Sequence, residues 1–315
     1  MTGKKRLLTG LQSSGTLHIG NYFGALKPFV DLYGTYESFL MVADYHALTT
    51  VHEGNKVRQG IIDVVKDYVA VGVDPAKATI FKQSDVPEHT ELAWIFECLV
   101  TVPFLELAHA YKDKVQKGIE ATAGLFNYPM LMAADILLYD TDVVPVGEDQ
   151  RQHVEYAREA AAKFNNAYGE TFKEPKEMIL QGVGVVPGVD GKKMSKSYGN
   201  TIPLFGGKDE IAKAVMSIVT DSSGDIPQNV YAIHKLVRSD TQEVDAVYEQ
   251  YRGNYKVLKE LLAQDIEAMV APMRARRDAL TDADVKKILK EGGEKTRAIA
   301  SAKMADVRAK VGVAL

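Results

Sequence analysis

The chain has 315 residues, enough for two domains, or one large domain with an appendage, around a core that needs no covalent staples. A net charge of −4 excludes a non-specific polycationic coat for nucleic acid, though a local basic patch stays open. The lone Cys98 excludes an intramolecular disulfide and a cysteine-rich zinc site; with no membrane-length apolar run and no signal segment, a cytoplasmic location is expected.

Arg6-Leu-Leu-Thr9 predicts a short buried strand. It leads into Gly10-Leu-Gln-Ser-Ser-Gly-Thr-Leu-His-Ile-Gly-Asn21 and then an amphipathic helix over 22–33. A strand, a loop with glycines and a helix starting near His18 present backbone N–H groups at a helix N-terminus, which suits anionic oxygens. The turn is neither a Walker A loop nor a GxGxxG loop, since the lysine and the third glycine are absent. His18 and Asn21, at i and i+3, share one face of the first turn, and both side chains can donate to phosphate oxygens.

Ser38–Ala43 predicts the second strand, 54–72 a helix and Ala78–Phe81 the third strand. Helices follow at 88–100 and 102–110. Cys98, inside the apolar stretch Leu92–Val100, is expected to be an inert core residue. Lys112-Asp-Lys-Val-Gln-Lys-Gly118 reads as a charged loop. A helix around Met130–Tyr139, a strand over Asp142–Val146 and a helix over 149–168 complete the first part. This alternation predicts a parallel sheet whose ligands bind beyond the strand carboxyl ends, at the loops after Thr9, Val42 and Val146. Residues 182–200, punctuated by glycines and carrying Lys192, Lys193 and Lys196, read as a mobile loop. From about 206 the chain turns helical, with breaks expected at 221–228, 239–241 and 291–293.

Lys193-Met-Ser-Lys-Ser197 begins 175 positions after His18. Two ammonium charges on a flexible segment can meet a polyphosphate as charge develops on the leaving group. The His18-Ile-Gly-Asn21 turn and this lysine string together resemble the two signature motifs of the class I aminoacyl-tRNA synthetases. Tyr128-Pro-Met-Leu-Met-Ala-Ala-Asp-Ile-Leu-Leu-Tyr139 and Pro145-Val-Gly-Glu-Asp-Gln150 are similar to the bacterial tryptophanyl-tRNA synthetases. The resemblance runs from about Leu8 to Ser197 and continues, thinner, through the helical tail. Asn21 departs from the broader motif, which ends in a second histidine, but Asn is usual in the Trp and Tyr branch.

The resemblance implies a doubly wound, parallel α/β nucleotide-binding (Rossmann-like) domain over 1–200 and a C-terminal α-helical, anticodon-binding domain over 201–292. A final helix, about 293–315, would pack back on the first domain. It also implies a homodimer, with Trp94 or Phe96 at or near the interface. The substrates implied are L-tryptophan, ATP and tRNA(Trp), with Mg²⁺ on the phosphates and few or no protein ligands to it.

The residues of the middle stretch suit an indole. Tyr128, Met132 and Asp135 stand at i, i+4 and i+7 on one helix face. An indole offers one N–H donor and no acceptor, so a carboxylate at the end of an apolar slot is an economical recogniser. Met132 would lie as a soft plate against the ring. Asp135, surrounded by apolar residues, is expected to be buried, with the ligand supplying its partner.

By resemblance, Tyr128 and Gln150 hold the α-amino group, and Gly147, Glu148 and Asp149 touch the ribose. Gln12, Ser13, Ser14, Gly20 and Asn21 line the ATP, together with Met194, Ser195 and Ser197 of the lysine motif; Val185 lies near the adenine. His18, Lys193 and Lys196 are the catalytic candidates, and Lys112 or Lys114 assists from the other loop. They stabilise phosphates, since an ionised carboxylate attacking the α-phosphorus needs no protein nucleophile. Three alternatives stay open. A tyrosyl-specific relative would need a second polar group for the phenol, which 128–150 does not obviously supply. A paralogue could bind tryptophan or its adenylate without charging tRNA, and a small nucleotidyltransferase would leave the helical tail unexplained.

Overall fold

The computed structural model describes residues 3–12, 16–116, 118, 120–146, 151–179, 185–220 and 224–314. Among these, five parallel strands form one sheet: β1 (Arg6–Leu11), β2 (Glu37–Val42), β3 (Ala78–Lys82), β4 (Val143–Val146) and β5 (Lys176–Ile179). Their order is β3-β2-β1-β4-β5. β5 was not expected: Lys176-Glu-Met-Ile179 is short, two of its residues are charged, and as an edge strand it needs no apolar run.

The pairing register, Leu7 against Ser38 and Leu8 against Phe39, sends alternate side chains to opposite faces. Leu7, Leu40, Val42 and Ile80 pack on one face with the helix after β1 and the Gly54–Ala70 helix. Leu8, Phe39, Met41 and Phe81 pack on the other with the helices Glu88–Glu97, Ala123–Leu137 and Arg151–Tyr168. Burial on both faces is why these strands read as continuous apolar runs. The sheet grows from β1 towards β3 and then resumes on the other side of β1 with β4. A crevice therefore opens at the carboxyl ends of β1 and β4, where the winding reverses.

The helix after β1 runs through three consecutive stretches, Ile19–Asn21, Tyr22–Leu26 and Lys27–Leu32, the middle one π-helical. The Ala123–Leu137 helix begins earlier than the expected Met130, capped by Thr122, and Pro129 sits inside it without ending it. The helices Lys208–Met216, Gln228–Val237, Thr241–Gln250 and Tyr255–Ala279 share the first apolar core through Ile211, Val230, Val244, Leu258 and Leu262.

Three sequence expectations fail here, the first being the charged loop over 112–118, which is helical through Gln116. Cys98 is exposed, not core. The Glu88–Glu97 helix turns Leu92, Ala93 and Phe96 inward and leaves Trp94, 67% exposed, on the outer side. An apolar stretch does not say how many of its faces are covered. The break at 291–293 is also absent, because one helix runs unbroken from Asp282 to Val311. It passes over β3, with Leu289 in the first core and Met304 in the second, and so covers that edge of the sheet. Gly292 is needed for close approach, not for a turn: a Cβ there would stand 1.8 Å from the Ile80 carbonyl oxygen. Gly292→Ala should therefore destabilise the fold by ~3 kcal/mol or more, since backbone must move. Gly24→Ala, with nothing within 4 Å of the new carbon, should be neutral or slightly stabilising in the same urea titration. Equal behaviour of the two variants would contradict the close-packing account.

Candidate active site

The two signature stretches are joined by the backbone. Ile19 N–H donates to the Ile202 carbonyl at 3.0 Å, and Leu204 N–H donates to the Leu17 carbonyl at 2.9 Å. This bridge, which includes His18 and Pro203, brings the segment after the lysine string beside the first helical turn. Met194 is buried against that turn, its Cβ 3.3 Å from where a side chain on Gly20 would begin. Gly20 thus leaves room for both Met194 and the His18 ring.

His18 is buried and caps the helix. Its Nδ1 accepts from Asn21 N–H at 3.3 Å, while Asn21 Oδ1 accepts from His18 N–H at 3.1 Å. An accepting Nδ1 places the ring proton on Nε2. Burial, and then the charge of Lys196, lower the ring's pKa to about 4, so a neutral imidazole offers Nε2–H to a ligand. Asn21 spends its oxygen on the cap, so only the NH₂ end of its amide is left to meet a phosphate.

Lys193 and Lys196 are exposed. The stretch holding them is pinned by Asn200, a buried residue that sequence reading passed over. Its Oδ1 accepts from Ser195 N–H at 2.8 Å, and its Nδ2 donates to Asp190 Oδ1 at 2.6 Å and to the Lys193 carbonyl at 3.1 Å. Ser195 and Ser197 hydroxyls lie 2.9 Å apart beside the lysines.

A cavity of about 430 Å³ opens at the crevice between β1 and β4. Leu8, Thr9 and Gly10 of β1 and Val144, Pro145 and Val146 of β4 line it, with Tyr128, Met132 and Asp135 from the Ala123–Leu137 helix. The helix face expected from spacing is the face that lines the cavity. Asp135 is 1% exposed, but its partners come from the chain itself, contrary to the expectation that the ligand provides them. Gln83 Nε2 donates to Oδ1 at 2.8 Å and His46 Nε2 lies 2.8 Å from Oδ2. His89 Nδ1 stands 2.7 Å from Oδ1, off the line of a good hydrogen bond, while its Nε2 meets Tyr139 OH at 2.7 Å.

Burial alone would push the Asp135 carboxyl up, but His89 and His46 hold it down to about 2. It is therefore an ionised, acceptor-only group, and the facing His46 nitrogen carries a proton. A carboxylate has about four lone-pair positions, so three chain partners leave room for one more N–H donor. His46, Gln83 and His89 were missed by sequence reading. The usable signal was position, since Gln83 follows β3 and His46 follows β2, both at strand carboxyl ends.

Tyr128 OH lies 2.7 Å from His153 Nε2, and burial pushes the phenol up to about 12. Gln12 donates to the His46 carbonyl at 2.8 Å. Gly10 and Gln12 line both this cavity and a second one of about 580 Å³ that also holds Asn21 and Lys196. A ligand could thus reach continuously from Asp135 to the lysine string. Val185 is 67% exposed and touches neither cavity lining. Lys112 is exposed on the His109–Gln116 helix. Ser13, Ser14, Gly147, Glu148, Asp149 and Gln150 lie outside the described residues, as does the Lys114 side chain. Among the described residues no group of three or more His, Cys, Asp or Glu could hold a metal ion.

A family model described as tRNA synthetases class I (W and Y) matches residues 1–288. The chain is 46% identical to a tryptophan–tRNA ligase of Fusobacterium nucleatum over 98% of both chains. It is 44% identical to a tryptophan–tRNA ligase of Rhodopirellula baltica, over 94% of this chain and 96% of that one. Among solved structures, the tryptophanyl-tRNA synthetase of Campylobacter jejuni complexed with ADP and tryptophan superposes with a TM-score of 0.92. That protein is 43% identical, and the match covers 98% of this chain and 99% of that one.

Proposed function

The chain belongs to the class I tRNA synthetases (W and Y), among the tryptophan–tRNA ligases, and from that membership we propose how its residues carry out the two steps. The carrying observation is the buried, ionised Asp135 at the end of an apolar cavity that runs into the His18 and Lys196 cleft. Asp135 accepts the indole N–H of L-tryptophan, Met132 lies against the ring, and Tyr128 and Gln150 hold the α-amino group. The substrate carboxylate then points past Gln12 toward the second cavity.

ATP lies there as its magnesium complex, against Gln12, Ser13, Ser14, Gly20 and Asn21, with Gly147, Glu148 and Asp149 at the ribose. The adenine rests near Val185, and Met194, Ser195 and Ser197 complete the enclosure. The cationic and neutral donors of this cleft suit phosphate oxygens, and Mg²⁺, held by those oxygens and water, would supply charge neutralisation. The tryptophan carboxylate attacks the α-phosphorus, the bond to the bridging oxygen breaks, and pyrophosphate leaves. His18 Nε2–H, Lys193 and Lys196 stabilise the charge that develops, with Lys112 or Lys114 assisting from the His109–Gln116 helix. A 3′-terminal ribose hydroxyl of tRNA(Trp) next attacks the aminoacyl carbonyl, and AMP departs.

We assign catalysis to residues 1–200 and anticodon reading to the helical region over 201–292, of which Asp282 onward is already the helix that returns to the sheet. Among the described residues no helix is long and apolar enough to cross a membrane, and we place the activity in the cytoplasm. Calorimetric titration with free amino acids tests the pocket. L-tryptophan should bind without ATP, and L-tyrosine should not; equal binding would contradict the role given to Asp135.

The assembly follows from the outer side of the Glu88–Glu97 helix. Phe96 is fully buried, so of the two residues named for the interface only Trp94 faces outward. We expect a two-fold homodimer across Trp94, reversed toward monomer by Trp94→Glu in sedimentation velocity. A wild-type monomer at every concentration would rule this out.

A further inference from the structure

The partners of Asp135 are carried by two turns at the carboxyl end of the sheet. β2 and β3 pair in register as far as Val42 and Lys82, and each chain then leaves the sheet. After β2 the short helix Asp44–Ala47 carries His46. After β3 the turn Gln83–Asp85 carries Gln83 and leads into the Glu88–Glu97 helix with His89. All three groups that meet the Asp135 carboxylate therefore depend on where these two turns sit relative to each other.

Asp44 and Ser84, each two residues beyond the last register pair, clamp the turns together. Asp44 Oδ1 accepts from Ser84 N–H at 3.0 Å, and its Oδ2 accepts from the Ser84 hydroxyl at 2.5 Å. Asp44 is buried, where a carboxyl group needs such partners. Beside the clamp, Tyr45 N–H donates to Gln83 Oε1 at 3.1 Å. That bond fixes which end of the Gln83 amide is oxygen, so the NH₂ end is the one turned to Asp135. Neither Asp44 nor Ser84 lines the cavity.

We infer that Asp44 and Ser84 are positioning residues for indole recognition: their clamp fixes the two turns and so aims the remaining lone pair of Asp135 at the indole N–H. This rests on the reading that Asp135 accepts that N–H. Asp135 has chain partners on both oxygens, so the placing of those partners decides where the carboxylate settles and which direction it leaves open. A hydrogen bond weakens steeply as its angle and length drift, whereas packing of the ring against Met132 tolerates the same drift. Loosening the clamp therefore costs recognition of the N–H more than it costs binding of the ring.

The test compares L-tryptophan with β-(3-benzothienyl)-L-alanine, a bicyclic analogue with sulfur in place of the N–H, by calorimetric titration of the full chain. The wild-type protein should bind tryptophan ~10- to 100-fold more tightly, the scale of one charge-assisted hydrogen bond. Ser84→Ala should lower that ratio by about threefold to tenfold through weaker tryptophan binding, with analogue affinity and the KM for ATP within about twofold. Ser84→Thr, which keeps the hydroxyl, should hold the wild-type ratio. Asp44→Ala, which removes both contacts, should lower the ratio at least as far as Ser84→Ala; if it does not fold, the two Ser84 variants decide. A clamp that served only the stability of the turns would lower the melting temperature of Ser84→Ala and leave the ratio unchanged, or weaken both ligands equally. Either result overturns the inference, as does a Ser84→Thr that loses the ratio as Ser84→Ala does. Equal wild-type binding of the two ligands would overturn the reading of Asp135 instead, and is seen before any variant is made.

Discussion

Lys196→Ala should lower the rate of adenylate formation by ~10²–10³, the scale of one electrostatic stabiliser, with the KM for ATP moved no more than severalfold. The lysine sits on a segment anchored at both sides, by Met194 against the first helical turn and by Asn200 below, while its own side chain lines the second cavity. In the proposed reaction, an ammonium held there meets the phosphates most strongly when pyrophosphate begins to leave. An interaction made only at that point lowers kcat and kcat/KM together. Transfer from preformed adenylate to tRNA should be far less affected, because pyrophosphate has already gone. Single-turnover measurement of the two steps separates the cases, and a loss seen wholly as a raised ATP KM would show uniform binding.

Asp135→Asn should cost about 2–4 kcal/mol in kcat/KM for tryptophan, with ATP affinity nearly unchanged. The charge-assisted bond to the indole N–H is lost. In addition, the new NH₂ would face Gln83 Nε2 or His46 Nε2, which now act as donors, at a position only 1% exposed. Steady-state pyrophosphate exchange over a tryptophan series reads this directly, and wild-type efficiency would remove Asp135 as the recogniser. Because the carboxyl is held down to about 2, its contribution to stability is present above the ordinary carboxylate range and is lost only as pH falls through that value.

The residues of the proposed site stand out in the sequence where the information is local. His18, Asn21 and the lysine string declare themselves as short motifs at a turn. Asp135 stands out as a carboxylate in an apolar helix, with Tyr128 and Met132 at the spacing of one face. The sheet was legible because β1 to β4 are buried on both sides, whereas β5, a charged edge, carries no such pattern. Support for Asp135 was not legible, since His46 follows β2 while Gln83 and His89 follow β3, and they meet only in the folded chain. The Gly292-Gly293 pair illustrates the opposite error. Poor helix propensity reads as a break, yet Gly292 lets the helix lie directly on β3, and Gly293 faces Asp85 just beyond it. Cys98 shows the same limit, because composition names an apolar helix without saying which face meets solvent.

The tyrosyl alternative and the small nucleotidyltransferase both give way to near-full-length identity with tryptophan–tRNA ligases, which includes the helical tail. What this leaves to experiment is whether this pocket, with one carboxylate held by two imidazoles and an amide, selects an indole. ATP–pyrophosphate exchange with each of the twenty amino acids tests that most directly. Tryptophan alone should support exchange, with tyrosine and phenylalanine at background. Exchange with tyrosine at comparable efficiency, or none with tryptophan, would contradict the account.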